Sequence, residues 1–286
     1  MNVQNEIQIG EIKVCRLGYG AMRLTGAGIW GYPSNKSEAI SVLRKALELG
    51  VNFIDTADSY GPYCNEELIC EALYPYPEHV LIATKGGLVR PGPSIWDRDA
   101  RPERLRSACE ASLRRLKLDC IGLYQLHAPD PNVPLRESIG ALADLQKEGK
   151  IRHIGVSNVD VKQLLEVQEL VDVASVQNRY NMLDRDSAEV LKICEHEGIA
   201  FIPWYPFSGG EHLNPNTVNN KLTQVKKIAK DLGATEAQVI LAWCLCSSPV
   251  MLPIPGTSSL RHLEENVGAL DLKLSAADLA VLNGNG

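Results

Sequence analysis

A pattern that recurs eight times constrains this chain more than any single motif. Short apolar, β-prone runs are centred near positions 17, 53, 81, 123, 153, 176, 202 and 252, and each is followed by a stretch of helical periodicity. Over residues 37–49, Ala39, Ile40, Leu43, Ala46 and Leu47 share a helical face that Gly50 closes. Pro102 and Pro134 stand in the first turns of helices running to Leu116 and Glu148. Ser275, with Asp278 three residues on, starts a last helix in an aspartate form of the capping box. Strand–helix alternation calls for parallel strands joined by helical crossovers. Eight such units close into a (β/α)8 barrel, the TIM barrel of the α/β class. Ahead of the repeat, residues 6–14 read as a β-hairpin about Gly10 and Glu11, placed to act as a lid or plug. No linker or low-complexity stretch divides the chain, so one domain is expected over residues 1–286.

Charge and cysteine content narrow the function. Net charge is −6 and no basic run occurs, which argues against a nucleic-acid partner. Arg114, Arg115 and Lys117 read as a solvated helix end that complements the helix dipole. The eight cysteines show neither a paired framework nor zinc spacing, as expected for thiols in a reducing cytoplasm. No metal site is expected, since one histidine and one aspartate are too few ligands. The first residues have no basic start or apolar core of a signal peptide, and no apolar run nears the ~18 residues of a membrane span.

A run from Gly26 to Gly31 spells G-x-G-x-x-G, with Asp55 at roughly the distance of a ribose-binding acid. That dinucleotide motif must open a helix directly, whereas Tyr32 and Pro33 follow here and Pro33 disfavours helical geometry before it. The run is therefore read as a flexible loop over the barrel mouth, where Met22 and Trp30 line a substrate pocket.

Active sites in such barrels lie at the C-terminal strand ends. The second strand delivers Asp55, with Tyr60 in its loop, and the third delivers Lys85. The fourth delivers His127, the fifth Ser157 and Asn158, the sixth Gln177, and the seventh Trp204 and Tyr205. Taken singly, these are ordinary caps and satisfied polar residues. Asp55, Lys85 and His127, however, end three consecutive strands and converge on one mouth. Lys85 needs Asp55 as a counter-ion if both are buried. A nearby ammonium lowers a phenol's pKa, which makes Tyr60 an expected proton donor, and His127 an expected hydrogen-bond partner of a carbonyl. No G-x-S-x-G elbow supports a serine hydrolase.

These stretches together (NFIDTADSYG, IATKGG, LYQLHAPD, IRHIGVSN, SVQNRYN and IPGTSSLRHLEEN) make the sequence resemble the aldo-keto reductase family over essentially its whole length. The resemblance implies hydride transfer from NADPH to an aldehyde or ketone, with Asp55, Tyr60, Lys85 and His127 as catalytic tetrad and Tyr60 as general acid. It places Ser157, Asn158 and Gln177 on the nicotinamide carboxamide and the ring on Trp204. It adds Gly20, Ala21, Met22, Tyr205, Pro206, Gly256, Thr257, Ser258, His262, Glu265 and Asn266 to the cofactor site, and Tyr60 and His127 to the substrate pocket. Independently, the 256–259 loop suits a phosphate at a helix N-terminus, although simple N-capping explains the same residues. Members of the family often carry a lysine and an arginine around the 2′-phosphate. Here Gly256 and His262 stand at those positions, so NADPH is preferred to NADH on less than the full pattern. The tail is short after Leu282, implying an open pocket. By analogy the substrates expected are small or aromatic aldehydes and pyridoxal, acted on by a monomer. Two other readings stay open: a nicotinamide-binding sensor that docks a partner with little turnover, and a Schiff-base lyase using Lys85.

Overall fold

The structure, a computed structural model, describes residues 5–207 and 215–284. Residues 1–4, part of the stretch that reads as lacking a leader, lie outside them. The chain opens with strands β1 (Glu6–Ile9) and β2 (Ile12–Cys15), an antiparallel hairpin in the expected place. Then follow β3 (Tyr19–Gly20), α1 (Lys36–Glu48), β4 (Phe53–Asp55), α2 (Cys64–Leu73) and β5 (Leu81–Gly86). A second hairpin, β6 (Leu88–Gly92) and β7 (Ile95–Arg98), precedes α3 (Pro102–Leu116), β8 (Ile121–Leu126) and α4 (Leu135–Lys147). Next come β9 (Ile151–Ser157), α5 (Val161–Gln168), β10 (Val173–Gln177), α6 (Ala188–Glu197) and β11 (Ala200–Phe201). Four helices complete the chain: α7 (Pro215–Leu232), α8 (Glu236–Ser247), α9 (Leu260–Val267) and α10 (Ala276–Asn283).

Seven parallel strands pair in the order β11-β10-β9-β8-β5-β4-β3. The eighth run, expected as a strand near position 252, is instead a short seam. It holds a single bridge, Met251 to Phe201, and the bonds Phe201 N to Val250 O and Leu252 N to Phe201 O. Gly18 N to Pro253 O ties its far side to the segment leading into β3, which closes the barrel. Pro253 and Pro255 explain the irregularity, because each lacks an N–H for a ladder. Buried Arg16 anchors the seam by donating to the carbonyls of Leu245 and Ser248.

Two-residue periodicity sorts each strand between the inside of the barrel and its helical shell. Phe53, Leu81, Ala83 and Leu123 form the interior cluster with Leu252 and Ile254. Ile54 and Ile82 face the shell under α1 and α2, and Ile154, Val156 and Val176 face it elsewhere. Ile9 and Val14 of the first hairpin join the interior cluster, so that hairpin plugs the barrel floor. The same parity carries Asp55, Lys85, Gln125 and Gln177 inward, one layer higher.

Candidate active site

Asp55 is the hub of the inner layer. Its Oδ2 accepts from Lys85 Nζ at 2.7 Å, and its Oδ1 from Gln177 Nε2 at 2.8 Å and Gln125 Nε2 at 3.4 Å. Lys85 is fully buried and also donates to the Thr56 carbonyl at 2.8 Å. Burial holds the ammonium's pKa below its ordinary value and Asp55 offsets part of that fall, so the pair compensates charge where either alone would be costly.

Tyr60 lies above this pair, 6% exposed, with Lys85 Nζ 5.2 Å from its ring centroid. Its hydroxyl makes no hydrogen bond among the described residues. The expected acidification of this phenol is not what the structure gives. Burial raises its pKa well above 10, and Asp55 and Asp58 add to the rise. His127 packs edge-on against Tyr60 at 5.7 Å, and its Nδ1 lies 3.3 Å from Ser59 Oγ. Burial and then Lys85 hold its pKa well below 6.5, so the imidazole is neutral. In the tautomer whose Nδ1 accepts from Ser59, Nε2 carries the hydrogen and is free to donate.

These groups border a cavity of about 450 Å³ at the C-terminal strand ends. Asp55, Tyr60 and His127 form one side, and Trp204, Tyr205, Pro206 and Phe207 another. Gly20, Met22, Ser157, Asn158, Gln177 and Gly256 complete the expected part of the lining. Lys85 lies behind it. Gln177 spends its amide N–H on Asp55, leaving Oε1 to accept, while Ser157 Oγ accepts from Asn158 Nδ2 at 3.0 Å, leaving its O–H to donate. Asn158 sits at φ +59°, a left-handed geometry that asparagine tolerates, and its Oδ1 accepts from Trp204 Nε1 at 3.2 Å, fixing the indole. A larger, shallower groove of about 1030 Å³ runs along the flank past Arg179 and Lys162. It shares only Asn158 with the cavity and holds no residue of the inner layer, so the buried titratable groups border the smaller space alone.

The sequence of residues 16–284 matches the model of the Aldo/keto reductase family. The chain belongs to the aldo/keto reductase family. It is 47% identical over 280 residues to an uncharacterized oxidoreductase of Schizosaccharomyces pombe, covering 98% of this chain and 89% of that protein. It is 41% identical over 286 residues to the pyridoxine 4-dehydrogenase of Escherichia coli, covering 98% of each. The solved aldo-keto reductase of Klebsiella pneumoniae in complex with NADPH superposes with a TM-score of 0.83 at 28% identity, covering 99% of this chain and 95% of that one.

In this reductase several expected positions lie away from the cavity. Trp30 is outside its lining; it is bridged to Gly61 and takes the outer side of Arg90, 5.8 Å from the guanidinium. Ala21, Thr257, Ser258, His262, Glu265 and Asn266 are also outside the lining. Glu265 and His262 are joined through Arg261, which pairs with the first and donates to the second at 2.8 Å. The glycine-rich loop is stitched down rather than free, through Gly31 N to Gly61 O at 2.7 Å and Gly26 N to Gly31 O at 3.0 Å. Arg115 is not a solvated helix end, because its Nε donates to buried Glu66 at 2.6 Å.

The aromatic wall over the site is Trp96, which the strand–helix pattern missed. It lies on β7, edge-on to Tyr60 at 6.3 Å and to His127 at 6.5 Å, and it lines the cavity. Arg90, on the partner strand β6, covers its other face at 3.8 Å. The Arg90 guanidinium donates to the carbonyls of Gly28, Ile29, Ser59 and Ile95, tying the glycine loop, the Tyr60 loop and the hairpin together. The turn-forming run Pro91-Gly92-Pro93-Ser94, set between the short β-prone pairs Leu88-Val89 and Ile95-Trp96, was the available signal for this hairpin.

Proposed function

We propose that this protein interconverts an aldehyde and its alcohol using NADP(H), with a planar aromatic aldehyde of the pyridoxal kind as substrate. The observation that carries the reaction is the Tyr60 hydroxyl. It has no hydrogen-bond partner among the described residues, and Tyr60 lines the cavity with its ring between neutral His127 and the Asp55–Lys85 pair.

The residues fit the cofactor. Ser157 and Gln177 present a donor and an acceptor, the complement of a primary carboxamide, and Trp204 offers a fixed aromatic face beside them. When bound, the nicotinamide supplies or takes the hydride. Tyr60 then gives its proton to the carbonyl oxygen during reduction, and its high pKa keeps that proton in place until the oxygen develops charge. His127 donates from Nε2 to the same oxygen and orients it. Lys85 and Asp55 fix the polarity of the pocket floor beneath the phenol. The wall of Trp96 and Phe207 supports the choice of a flat ring, as does the 41% identity to a pyridoxine 4-dehydrogenase.

A lyase with Lys85 as nucleophile is disfavoured, since its ammonium is fully buried and two of its donors are engaged. The decisive variant is Tyr60→Phe. NADPH binding, followed by quenching of protein fluorescence, should stay unchanged while pyridoxal reduction falls about 10²–10⁴-fold, the range of a lost general acid. Turnover near that of the unmodified protein would refute the role of Tyr60. A panel of pyridoxal, benzaldehyde and short aliphatic aldehydes tests the substrate class, and a preference for the aliphatic members would overturn it.

A further inference from the structure

We propose that Arg23 is the cation that receives a phosphate group of the dinucleotide. The inference rests on the assignment of the cleft to NADP(H). Gly256 and Gly20 face each other across the barrel seam so closely that a Cβ on residue 256 would lie 2.7 Å from the Gly20 carbonyl oxygen. No cationic side chain can therefore stand on position 256 without moving backbone. The same point in space is 3.4 Å from Cγ of Arg23, so the Arg23 stem runs alongside this glycine contact.

Arg23 ends the single 3-10 turn Ala21–Arg23 that leaves β3. It is exposed and lines the cavity with Gly20 and Gly256. Among the described residues it is the only arginine or lysine in that lining. Its guanidinium forms no hydrogen bond or ion pair there, whereas nearby arginines are engaged. Arg90 holds four carbonyls, Arg104 leans on Asp58, and Arg261 is neutralised by Glu265. A cleft that takes a polyanionic dinucleotide thus offers one unengaged guanidinium, whose planar fork of donors suits phosphate oxygens. Two phosphates of the ligand share this chemistry, the pyrophosphate and the 2′-phosphate.

The test is the dissociation constant of NADPH and of NADH, by fluorescence titration without carbonyl substrate, for the unmodified protein, Arg23→Gln and Arg23→Lys. Arg23→Gln should weaken NADPH about tenfold or more, flatten the salt dependence of its binding, and leave Tm unchanged; Arg23→Lys should recover part of the loss. An equal loss for NADH assigns Arg23 to the pyrophosphate, and a loss confined to NADPH assigns it to the 2′-phosphate. Affinities within about twofold for both ligands in Arg23→Gln would overturn the proposal while leaving the cleft assignment standing. An unmodified protein that binds neither ligand overturns both.

Discussion

Asp58, three residues after Asp55, is a charge the barrel holds under strain. It is 1% exposed, its Oδ1 has no hydrogen-bond partner among the described residues, and its Oδ2 reaches Arg104 only at 3.4 Å. Burial, and then the proximity of Glu66, raise its pKa from 3.8 to about 7, against the pull of Arg104 and Arg115. The folded state therefore holds this proton more tightly than the unfolded chain. The contribution of Asp58 to stability is intact below pH 3.8, declines as pH rises, and is fully lost above about 7. Asp58→Asn keeps the shape and removes the charge. Its Tm should match that of the unmodified protein near about pH 4 and exceed it at about pH 8, with a ceiling of about 4 kcal/mol. A lower Tm at the alkaline end would show that the Arg104 contact outweighs desolvation. At this scale the sequence was informative about identity and silent about state. Asp55, Lys85 and His127 follow from which residue ends each strand. That Tyr60 is pushed up in pKa depends first on its burial and then on the nearness of Asp55 and Asp58, which no linear pattern contains.

Among the elements, the β6–β7 hairpin shapes the mouth without supplying a reacting group. Arg90 locks it by four hydrogen bonds and by its stack on Trp96. Arg90→Ala should free Trp96 and raise KM for an aromatic aldehyde about tenfold, in line with a lost cation–π contact and its backbone anchors, while the NADPH dissociation constant stays the same. A matching change in both constants would mean that the hairpin supports the cofactor as well. This element was hard to read because it interrupts the strand–helix alternation. Its strands are five and four residues long, the first carries a proline and a glycine, and the second is exposed throughout. The seam near position 252 failed in the opposite sense. Its apolar residues promised a strand, but prolines on either side of Ile254 remove the donors a ladder needs.

Across the whole molecule, plug and site occupy opposite ends of one interior. Ile9 and Val14 close the floor against Phe53, Leu81 and Leu252, and Asp55 and Lys85 lie a layer above. Ile9→Ala leaves a cavity beneath the barrel and should destabilise the fold by about 2–5 kcal/mol in chemical denaturation, with kcat unchanged. A kcat that falls along with stability would show that the plug sets the site's geometry. The barrel itself was legible because its periodicities are global: alternation inside each strand, and strand followed by helix along the chain. Its closure was not, because closure depends on which backbone groups meet across the seam.

That seam has a further consequence. Seven strands are joined by ladders, but the eighth contact holds by a bridge and a few backbone bonds, with Arg16 as clamp. In a closed ring the least-bonded joint is where local opening is easiest, and this seam runs up to the close approach of Gly20 and Gly256, both of which line the cleft. A ligand lying across both sides acts as a rivet. On the cofactor assignment proposed above, saturating NADPH should therefore raise Tm, and a Tm indifferent to NADPH would show that the seam does not open before the rest of the barrel.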